Sequence, residues 1–292
     1  MSRHSVIDVG SNTIHLLVGE VDDGAVIPVA GEKISARLGA GVEKTGHLDE
    51  RRLGLAAEAI KLFVGIAAMN GASPPEILAT SAVRDAGNGQ ELVDRVREAT
   101  GLEMRLISGE KEAALGFRGA LSAVRHEGKV LVVDLGGGSA QLILGDTREG
   151  PDERVSLPLG TNRTTERFVR EGPPTESELG ALGEHVGRLL PAWDIGDAEV
   201  VAVGGSARAI LKITRDGLTA DRLWRLYLET SGLASGVLAR EHGLAPERAR
   251  VLPAAITTLA AVLEHFGKGE LTVARGGIRE GTLLALDEGE VI

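Results

Sequence analysis

The sequence predicts an α/β protein built from two related domains. The chain has 292 residues, and at roughly 100–200 residues per domain this length favours two domains. Short apolar strands alternate with amphipathic helices along the chain, which is the pattern of α/β domains. Residues 6–20 (VIDVGSNTIHLLVGE) also align without a gap with residues 132–146 (VVDLGGGSAQLILGD). This internal repeat indicates that both domains open with the same β-hairpin.

The first half of the chain reads as three strands followed by alternating helices and strands. Asp49 is a typical N-cap for the amphipathic helix that follows it, and Asn88 and Ser108 are in the same position before the next two helices. The predicted strands are 5–10, 14–20, 25–30, 76–82 and 102–107, and the predicted helices are 50–69, 89–99 and 109–125.

The second half repeats this order approximately. Its predicted strands are 129–134, 139–146, 153–158, 199–203 and 270–274, and its predicted helices are 161–171, 176–192, 207–213, 219–230, 246–266 and 279–287. No low-complexity linker separates the halves, so we expect the boundary within the helix near 116–128. The predicted domains are 1–120 and 121–278, with the C-terminal helix of 279–292 packing on the first domain.

Composition and charge exclude several classes of protein. With 43% hydrophobic and 25% charged residues, the chain is not disordered. No apolar run approaches the ~18 residues of a membrane span, and no signal peptide follows Met1. The absence of Cys removes disulfides, thiolate metal sites and a Cys nucleophile. A net charge of −10 argues against nucleic acid as a partner. From these features together we expect a cytoplasmic protein with no membrane or nucleic-acid partner.

The turn of each repeated hairpin carries residues that suit a phosphate group. Asp8 aligns with Asp134 at the end of the first strand, and Thr13 aligns with Ser139 after the glycines. Glycine lets backbone N–H groups point into a concavity, and a hydroxyl adds another donor. The carboxylate can hold a divalent cation or orient a water, or it only stabilises the turn. Two such loops facing each other across a cleft would clamp a phosphoryl group from both sides.

Other nucleotide and metal motifs are missing from the sequence. No strand–GxGxxG–helix unit surrounds the Gly-rich segment 37–41, and there is no Walker A lysine motif. The seven His residues show no zinc-ligand spacing, so no zinc site is predicted.

Five motifs follow one another along the chain and carry a family resemblance. They are Asp8–Thr13 (DVGSNT), Arg37–Val42 (RLGAGV), Ala79–Ala86 (ATSAVRDA), Ile107–Ala113 (ISGEKEA) and Asp134–Ser139 (DLGGGS), with weaker matches at 159–161, 204–206 and 277–281. Together they resemble the exopolyphosphatase/guanosine pentaphosphate phosphohydrolase (Ppx/GppA) family in its short form, over almost the whole chain. The resemblance implies two actin-like (ribonuclease H-like) domains of the sugar kinase/actin/heat-shock ATPase superfamily, with an interdomain cleft.

The resemblance also implies roles that chemistry alone leaves open. Glu112 lies near a predicted helix start, where a carboxylate is often only a partner of the helix dipole, but the family has its general base at this position. Arg84 follows a strand, where Arg is most often a surface residue, but the resemblance implies a phosphate contact. Asp8 and Asp134 are implied as catalytic residues that hold Mg²⁺ or another divalent cation. The implied phosphate-binding residues are Ser11, Asn12, Thr13, Arg84, Gly136, Gly137, Gly138, Ser139, Gly205 and Ser206.

The implied function is metal-assisted release of terminal phosphate from inorganic polyphosphate, with short chains favoured, or from guanosine pentaphosphate. One departure keeps alternatives open, because the family's second loop continues to a Glu where this chain has Gln141. Gln keeps the shape and loses the charge, so a protein that binds polyphosphate or guanosine tetra- and pentaphosphate with weakened catalysis remains an alternative. A small-molecule kinase of the same superfamily is a third hypothesis. The resemblance also carries the expectation of a homodimer, and Arg163 and Arg167 are predicted on a solvated helix face.

Overall fold

The chain forms two α/β units, each built on its own sheet. The structure, a computed structural model, describes residues 2–123, 127–169, 172–214 and 217–292. The first unit comprises Met1–His126 and Gly276–Ile292, and the second comprises Glu127–Arg275. Among the described residues, no helix combines the length and apolarity that crossing a membrane requires.

The first unit contains a five-stranded mixed sheet in the order β3-β2-β1-β4-β5. Its strands are β1 (Arg3–Val9), β2 (Ile14–Asp22), β3 (Ala25–Ile34), β4 (Glu76–Ala79) and β5 (Met104–Leu106), and its first five helices are α1 (Val42–Thr45), α2 (Glu50–Met69), α3 (Ser81–Arg84), α4 (Gly89–Thr100) and α5 (Gly109–Leu121). β1, β2 and β3 are antiparallel, whereas β1, β4 and β5 run parallel. The carboxyl ends of the three parallel strands therefore meet at one edge, where α/β sheets bind ligands.

The second unit contains a six-stranded sheet in the order β10-β11-β9-β6-β7-β8. Its strands are β6 (Lys129–Leu135), β7 (Ala140–Asp146), β8 (Gly150–Leu157), β9 (Glu199–Val203), β10 (Leu218–Thr219) and β11 (Glu270–Val273), and its helices are α6 (Thr161–Phe168), α7 (Glu176–Leu189), α8 (Gly205–Thr214), α9 (Ala220–Thr230), α10 (Ser235–His242) and α11 (Pro246–His265). β6, β9 and β11 are parallel, so their carboxyl ends form the equivalent edge. The last helix, α12 (Ile278–Asp287), belongs to the first unit.

Helices cover both faces of the first sheet. One face packs on α2 and α4 through residues such as Ile7, Leu53 and Phe63, which are at most 1% exposed. On the other face, Val6 and Leu78 pack against Leu115 of α5 and Leu283 of α12. Sheets with parallel strands are buried on both faces in this way. The arrangement fixes α12 beside the strand end that carries Asp8.

The predicted elements differ from the structure at a few boundaries. Strand 76–82 ends at Ala79, because the backbone N–H groups of Val83 and Arg84 bond back to Thr80 and form α3. Asn88 does not cap α4 with its side chain, which bonds to both backbone groups of Leu48 instead. The helix predicted over 176–192 ends at Leu189, because the residue before Pro191 is biased to extended backbone.

Other predicted ends fall outside the described residues, and three helices were not predicted. The predicted ends of helices 109–125 and 161–171 include positions 124–125 and 170–171, which the structure does not describe. α6 ends at Phe168. α1, α3 and α10 have no predicted counterpart.

Candidate functional site

The strand-end edge of the first unit gathers three segments with predicted site residues. β1 leads into the glycine turn after Asp8, β4 leads into α3, and β5 leads into α5. Arg84 is the last residue of α3, and Glu112 lies in the first turn of α5. Parallel pairing of these strands thus brings together residues that are far apart in the sequence.

Arg84 and Glu112 form an ion pair at this edge. Arg84 Nη1 lies 3.2 Å from Glu112 Oε2 and donates a hydrogen bond to the backbone oxygen of Ile107 at 2.8 Å. Its Nε lies 3.4 Å from Asp85 Oδ1. Glu112 is only 9% exposed, so its carboxylate lies in a largely buried position where a guanidinium compensates the charge. Arg84 is therefore not a freely solvated surface residue.

The local sequence fixes the orientation of Glu112. Ser108 caps α5 by accepting a hydrogen bond from Lys111 N at 3.1 Å, and Glu112 N donates to the backbone oxygen of Ser108 at 2.9 Å. The same turn carries Glu110, which is exposed. A carboxylate at a helix N-terminus is stabilised by the helix dipole. Of the two acids, only Glu112 combines this position with burial and an arginine partner.

The first loop, Gly10–Thr13, is a tight turn braced by the Gly-rich segment 36–41. Gly10 N donates to Thr13 O at 3.1 Å, Arg37 N donates to Asn12 O at 2.9 Å, and Gly39 N donates to Ser11 O at 2.8 Å. The hydroxyl of Ser11 is buried and has no hydrogen-bond partner among the described residues. Because buried polar groups are nearly always bonded, this hydroxyl suits a ligand oxygen.

A chain of side chains reaches the first loop from α12. His15 Nε2 lies 2.8 Å from Thr13 Oγ1, and Arg279 Nη1 lies 3.4 Å from His15 Nδ1. A guanidinium can only donate, so Nδ1 accepts and Nε2 carries the hydrogen given to Thr13. Thr13 then keeps its own hydroxyl hydrogen for another acceptor. His15 is also the strand neighbour of Asp8 in the antiparallel register.

The second loop, Gly136–Ser139, has the same turn in the second unit. Gly136 N donates to Ser139 O at 3.0 Å. The start of α6 braces this loop, since Thr161 N donates to Gly136 O at 2.9 Å and Asn162 N donates to Gly137 O at 2.8 Å. Arg163 Nε donates to Gly138 O at 2.9 Å. The predicted solvated position of Arg163 is thus wrong, because this guanidinium is tied to the loop backbone.

Gln141 is buried beside the second loop with both amide hydrogens bonded. It is 1% exposed, and its Nε2 donates to Ser139 Oγ at 2.8 Å and to Ser156 Oγ at 3.0 Å. Asp134 is its neighbour across the β6–β7 ladder. Ser139 accepts this hydrogen bond and keeps its own hydroxyl hydrogen, as Thr13 does in the first loop.

A third glycine turn, Gly204–Ser206, follows β9 at the same edge as Asp134. Arg248 of α11 reaches this turn, and its Nη1 donates to Ser206 Oγ at 2.7 Å. A Cβ at position 205 would lie 2.5 Å from Arg248 Nη2, so a larger residue there would displace the guanidinium. Burial lowers the pKa of Arg248, and nearby Arg208 acts in the same direction. Within the described part of the chain, no carboxylate forms an ion pair with Arg248.

The carboxylates at the two strand-end edges can be tested for their fit to a metal ion. In the described ranges, no group of three His, Cys, Asp or Glu residues could hold a metal ion by itself. Each strand-end edge carries one acid at the equivalent position, Asp8 or Asp134, and its ladder neighbour is His15 or Gln141. Mg²⁺ typically uses one or two carboxylates and keeps its remaining sites for phosphate oxygens and water. The donor set therefore suits Mg²⁺ bound together with a phosphate ligand.

The predicted residues thus fall into one cluster in each unit. The first cluster holds Asp8, Ser11, Asn12, Thr13, Arg84 and Glu112, and the second holds Asp134, Gly136, Gly137, Gly138, Ser139, Gly205 and Ser206. Sequence reasoning did not single out Arg248 or Arg279. The Arg-Ala-Arg triplet 248–250 before an apolar helical run is a weak signal for Arg248. For Arg279, the signal is its place in the motif at 277–281.

Comparison with known proteins gives a consistent result over the whole chain. A sequence model of the Ppx/GppA phosphatase family matches residues 17–288. Exopolyphosphatase 1 of Mycobacterium tuberculosis is 29% identical over 305 residues, covering 97% of this chain and 87% of the relative. The guanosine-5'-triphosphate,3'-diphosphate pyrophosphatase of Vibrio vulnificus is also 29% identical, over 95% of this chain and 58% of the relative. The crystal structure of the Aquifex aeolicus Ppx/GppA family member superposes with a TM-score of 0.82 at 26% identity, over 99% of both chains.

Proposed function

Because the chain belongs to the Ppx/GppA phosphatase family, we propose that it releases terminal phosphate from inorganic polyphosphate, guanosine pentaphosphate or both. The chain is a hydrolase of phosphoanhydride bonds, the class to which its named relatives belong. Its two actin-like domains have the fold of the family.

The observation that carries the proposal is the buried Arg84–Glu112 pair at the strand-end edge of the first unit. Glu112 acts as the general base: its carboxylate takes a proton from water as the water oxygen attacks the terminal phosphorus. The bond from this phosphorus to the bridging oxygen breaks, and the electron pair leaves on the shortened phosphate chain. Positioning and charge stabilisation supply most of the catalysis in such a transfer. Arg84 supports both by holding Glu112 and by contacting a phosphate oxygen.

The glycine loops bind the remaining phosphate oxygens. Backbone N–H groups and the hydroxyls of Ser11, Thr13 and Ser139 act as donors. Both Thr13 and Ser139 accept an internal N–H, from His15 and Gln141, so each can donate to a phosphate oxygen. Asp8 and Asp134 would hold Mg²⁺, which when bound neutralises phosphate charge. Arg248, next to Ser206, adds a guanidinium without a carboxylate partner in the described residues.

A second candidate function is binding without efficient turnover. Gln141 favours it, because a carboxylate at this position in the family is replaced by an amide whose hydrogens are already given to two serines. Such a protein would bind polyphosphate or guanosine tetra- and pentaphosphate and release little phosphate. No structural observation favours the kinase hypothesis. ATP consumption measured with and without an acceptor tests it, because a kinase consumes ATP only when an acceptor is present.

The deciding experiment measures phosphate release with Mg²⁺ from short polyphosphate, long polyphosphate and guanosine pentaphosphate. Glu112→Gln is compared with Glu110→Gln, a matched acid in the same helical turn that is exposed. We expect Glu112→Gln to lower kcat by about 10²–10⁴-fold, the usual contribution of a general base, and Glu110→Gln to leave it unchanged.

Three other results would change the assignment. Equal turnover of wild type and Glu112→Gln would reject Glu112 as the base. No turnover in the wild type, with tight binding of the same compounds and turnover gained in Gln141→Glu, would establish the binding protein. ATP consumption that depends on an acceptor would establish the kinase.

A further inference from the structure

Arg37 has a backbone conformation that its residue type disfavours. Its φ is +52°, in the left-handed region where the Cβ of an L residue lies too close to the following carbonyl oxygen. In the described part of the chain, Asp23 is the one other residue besides glycine with a positive φ, at +48°. Asp23 precedes Gly24 in the β2–β3 hairpin turn, where Asp commonly adopts this conformation. Arg37 has no such explanation, because a glycine at its position would avoid the backbone cost.

The backbone around Arg37 is held against the first loop. Arg37 N donates to Asn12 O at 2.9 Å, and two residues later Gly39 N donates to Ser11 O at 2.8 Å. Leu38, between them, is fully buried in the core of the first unit. These contacts keep Arg37 in its left-handed conformation, and its N–H group bonds directly to the loop backbone.

Contacts within the chain do not explain why an arginine side chain is placed here. The side chain of Arg37 is exposed, and it forms no ion pair or hydrogen bond with any residue that the structure describes. Two other arginines at this edge each lie near a carboxylate. Arg84 Nη1 is 3.2 Å from Glu112 Oε2, and Arg279 Nη2 is 3.8 Å from Glu280 Oε1. The charge of Arg37 is therefore available to a bound anion.

We propose that Arg37 binds a phosphate oxygen of the ligand that the first loop holds. Its backbone lies against this loop, so its guanidinium is within reach of a phosphate next to the one bound by the loop donors. The buried hydroxyl of Ser11 has no partner among the described residues, which independently indicates that a ligand oxygen is bound here. A guanidinium presents several N–H donors to a phosphate and stays charged. Strained backbone is retained where a side chain contacts a ligand in this way.

The inference rests on the proposed function only for the class of ligand. It requires that a phosphate chain is bound at the first loop, and it does not require that the chain is hydrolysed. Inorganic polyphosphate and the guanosine polyphosphates both carry phosphates that such a contact recognises. The test therefore uses one ligand of each kind, and neither of them loses a terminal phosphate in the proposed reaction.

Replacement of Arg37 by glycine separates a ligand contact from a structural role. Isothermal titration with Mg²⁺ measures Kd for the methylene-bridged analogue of tripolyphosphate, whose P–C–P links resist hydrolysis, and for guanosine tetraphosphate. Arg37→Gly is expected to raise Kd about tenfold, the usual loss for a charged hydrogen bond. Its urea midpoint should stay the same or rise, because glycine relieves the strain. Arg37→Lys keeps the charge and is expected to stay within about threefold of the wild-type Kd.

Asp23→Gly is the matched control for the backbone. It removes the other strained side chain, in a turn at the opposite end of β2 from the first loop. Its urea midpoint should respond as that of Arg37→Gly does, and both Kd values should be unchanged. Arg51→Ala removes an exposed arginine of α2 and controls for the loss of one positive charge.

The results separate this contact from the hydrolase assignment. A raised Kd for either ligand supports the contact and identifies which phosphate chain Arg37 meets. Unchanged Kd values in Arg37→Gly, or no binding of either ligand by the wild type, overturn it. So does a raised Kd with a lower urea midpoint, because the side chain would then support the turn. Phosphate release by the wild type beside unchanged Kd values leaves the hydrolase standing, whereas a raised Kd without any release rejects the hydrolase and keeps the contact.

Discussion

The two repeated hairpins share a turn but are braced by different parts of the chain. In the first loop Gly10 N bonds to Thr13 O, and in the second Gly136 N bonds to Ser139 O, with lengths that differ by 0.1 Å (3.1 and 3.0 Å). The first loop is held by the Gly-rich segment 36–41, and the second by the start of α6. The turn itself is thus set by the local sequence, whereas the segment that supports it comes from a different part of the fold in each unit.

The hydroxyl of each loop is oriented by the residue two positions later. His15 serves Thr13, and Gln141 serves Ser139, in both cases at 2.8 Å through a nitrogen. Two chemically different side chains therefore leave the loop hydroxyl as a donor for phosphate. Gln141 thus makes the second loop resemble the first in this respect. The units differ more in their arginines, because Arg84 contacts the carboxylate of Glu112, whereas Arg248 contacts the hydroxyl of Ser206.

The largest difference between the two clusters should appear when their arginines are replaced. Arg84→Gln removes the partner of Glu112 and a phosphate contact, so kcat/KM is expected to fall about a hundredfold, or about 2.7 kcal/mol. Arg163→Gln removes the hydrogen bond to the backbone oxygen of Gly138 and is expected to lower kcat/KM by less than about tenfold. Steady-state phosphate release on the preferred substrate measures both. Equal losses would mean that Arg84 and Arg163 contribute equally to kcat/KM, and this would contradict the expected difference between the two clusters.

The segments that support the two loops should differ in how well they tolerate a methyl group added at a glycine. A Cβ at position 160 would overlap the backbone of Gly138 and Ser139, whereas a Cβ at position 39 would lie 2.9 Å from the Cβ of Ser11. Gly160→Ala is therefore expected to lower the free energy of unfolding by about 3 kcal/mol or more, and Gly39→Ala by about 1 kcal/mol. Urea denaturation measures both losses.

The control for this pair is Gly180→Ala in α7, where an added methyl meets no atom within 4 Å. An exposed helical glycine replaced by alanine should stabilise the chain by up to about 1 kcal/mol. If Gly39→Ala proves as costly as Gly160→Ala, the brace of the first loop is as rigid as the helix start that supports the second.

A carboxylate at position 141 should remove the similarity between the second loop and the first. Gln141→Glu places a buried charge beside Asp134 and replaces two donated hydrogen bonds. The free energy of unfolding in EDTA is expected to fall by about 1–3 kcal/mol, and Mg²⁺ is expected to restore most of it. Thermal unfolding with and without Mg²⁺ gives the result. Gln90→Glu, on an exposed position of α4, controls for charge alone, and an equal response of both variants would reject a metal site at Asp134.

Local signals in the sequence were enough for most elements but not for the contacts that complete the site. α2 spans 50–69 as predicted, because Asp49 accepts the bond from Arg52 N at one end and Asn70-Gly71 closes the other. The predicted end of β4 was wrong because the residue types from Thr80 to Val83 are compatible with a strand. Only the backbone hydrogen bonds to the oxygen of Thr80 favour a turn there.

Long-range pairing was beyond local reasoning. His15 and Arg279 are 264 positions apart, and Arg248 meets Ser206 only because α11 packs beside α8. The resemblance supplied Glu112 and Arg84 as separate expectations. Their ion pair depends on the parallel alignment of β4 with β5, which no motif of the sequence contains.

The smallest expected effect concerns the buried hydroxyl of Ser11 in the first loop. It has no partner among the described residues, so Ser11→Ala should change the free energy of unfolding by less than about 0.5 kcal/mol or stabilise the chain slightly. If the hydroxyl binds a phosphate oxygen, KM should rise about tenfold while stability is unchanged. Ser139→Ala, which also breaks the bond from Gln141, should lose both stability and affinity. A loss of stability without a change in KM for Ser11→Ala would show that this serine supports the turn and does not contact the ligand.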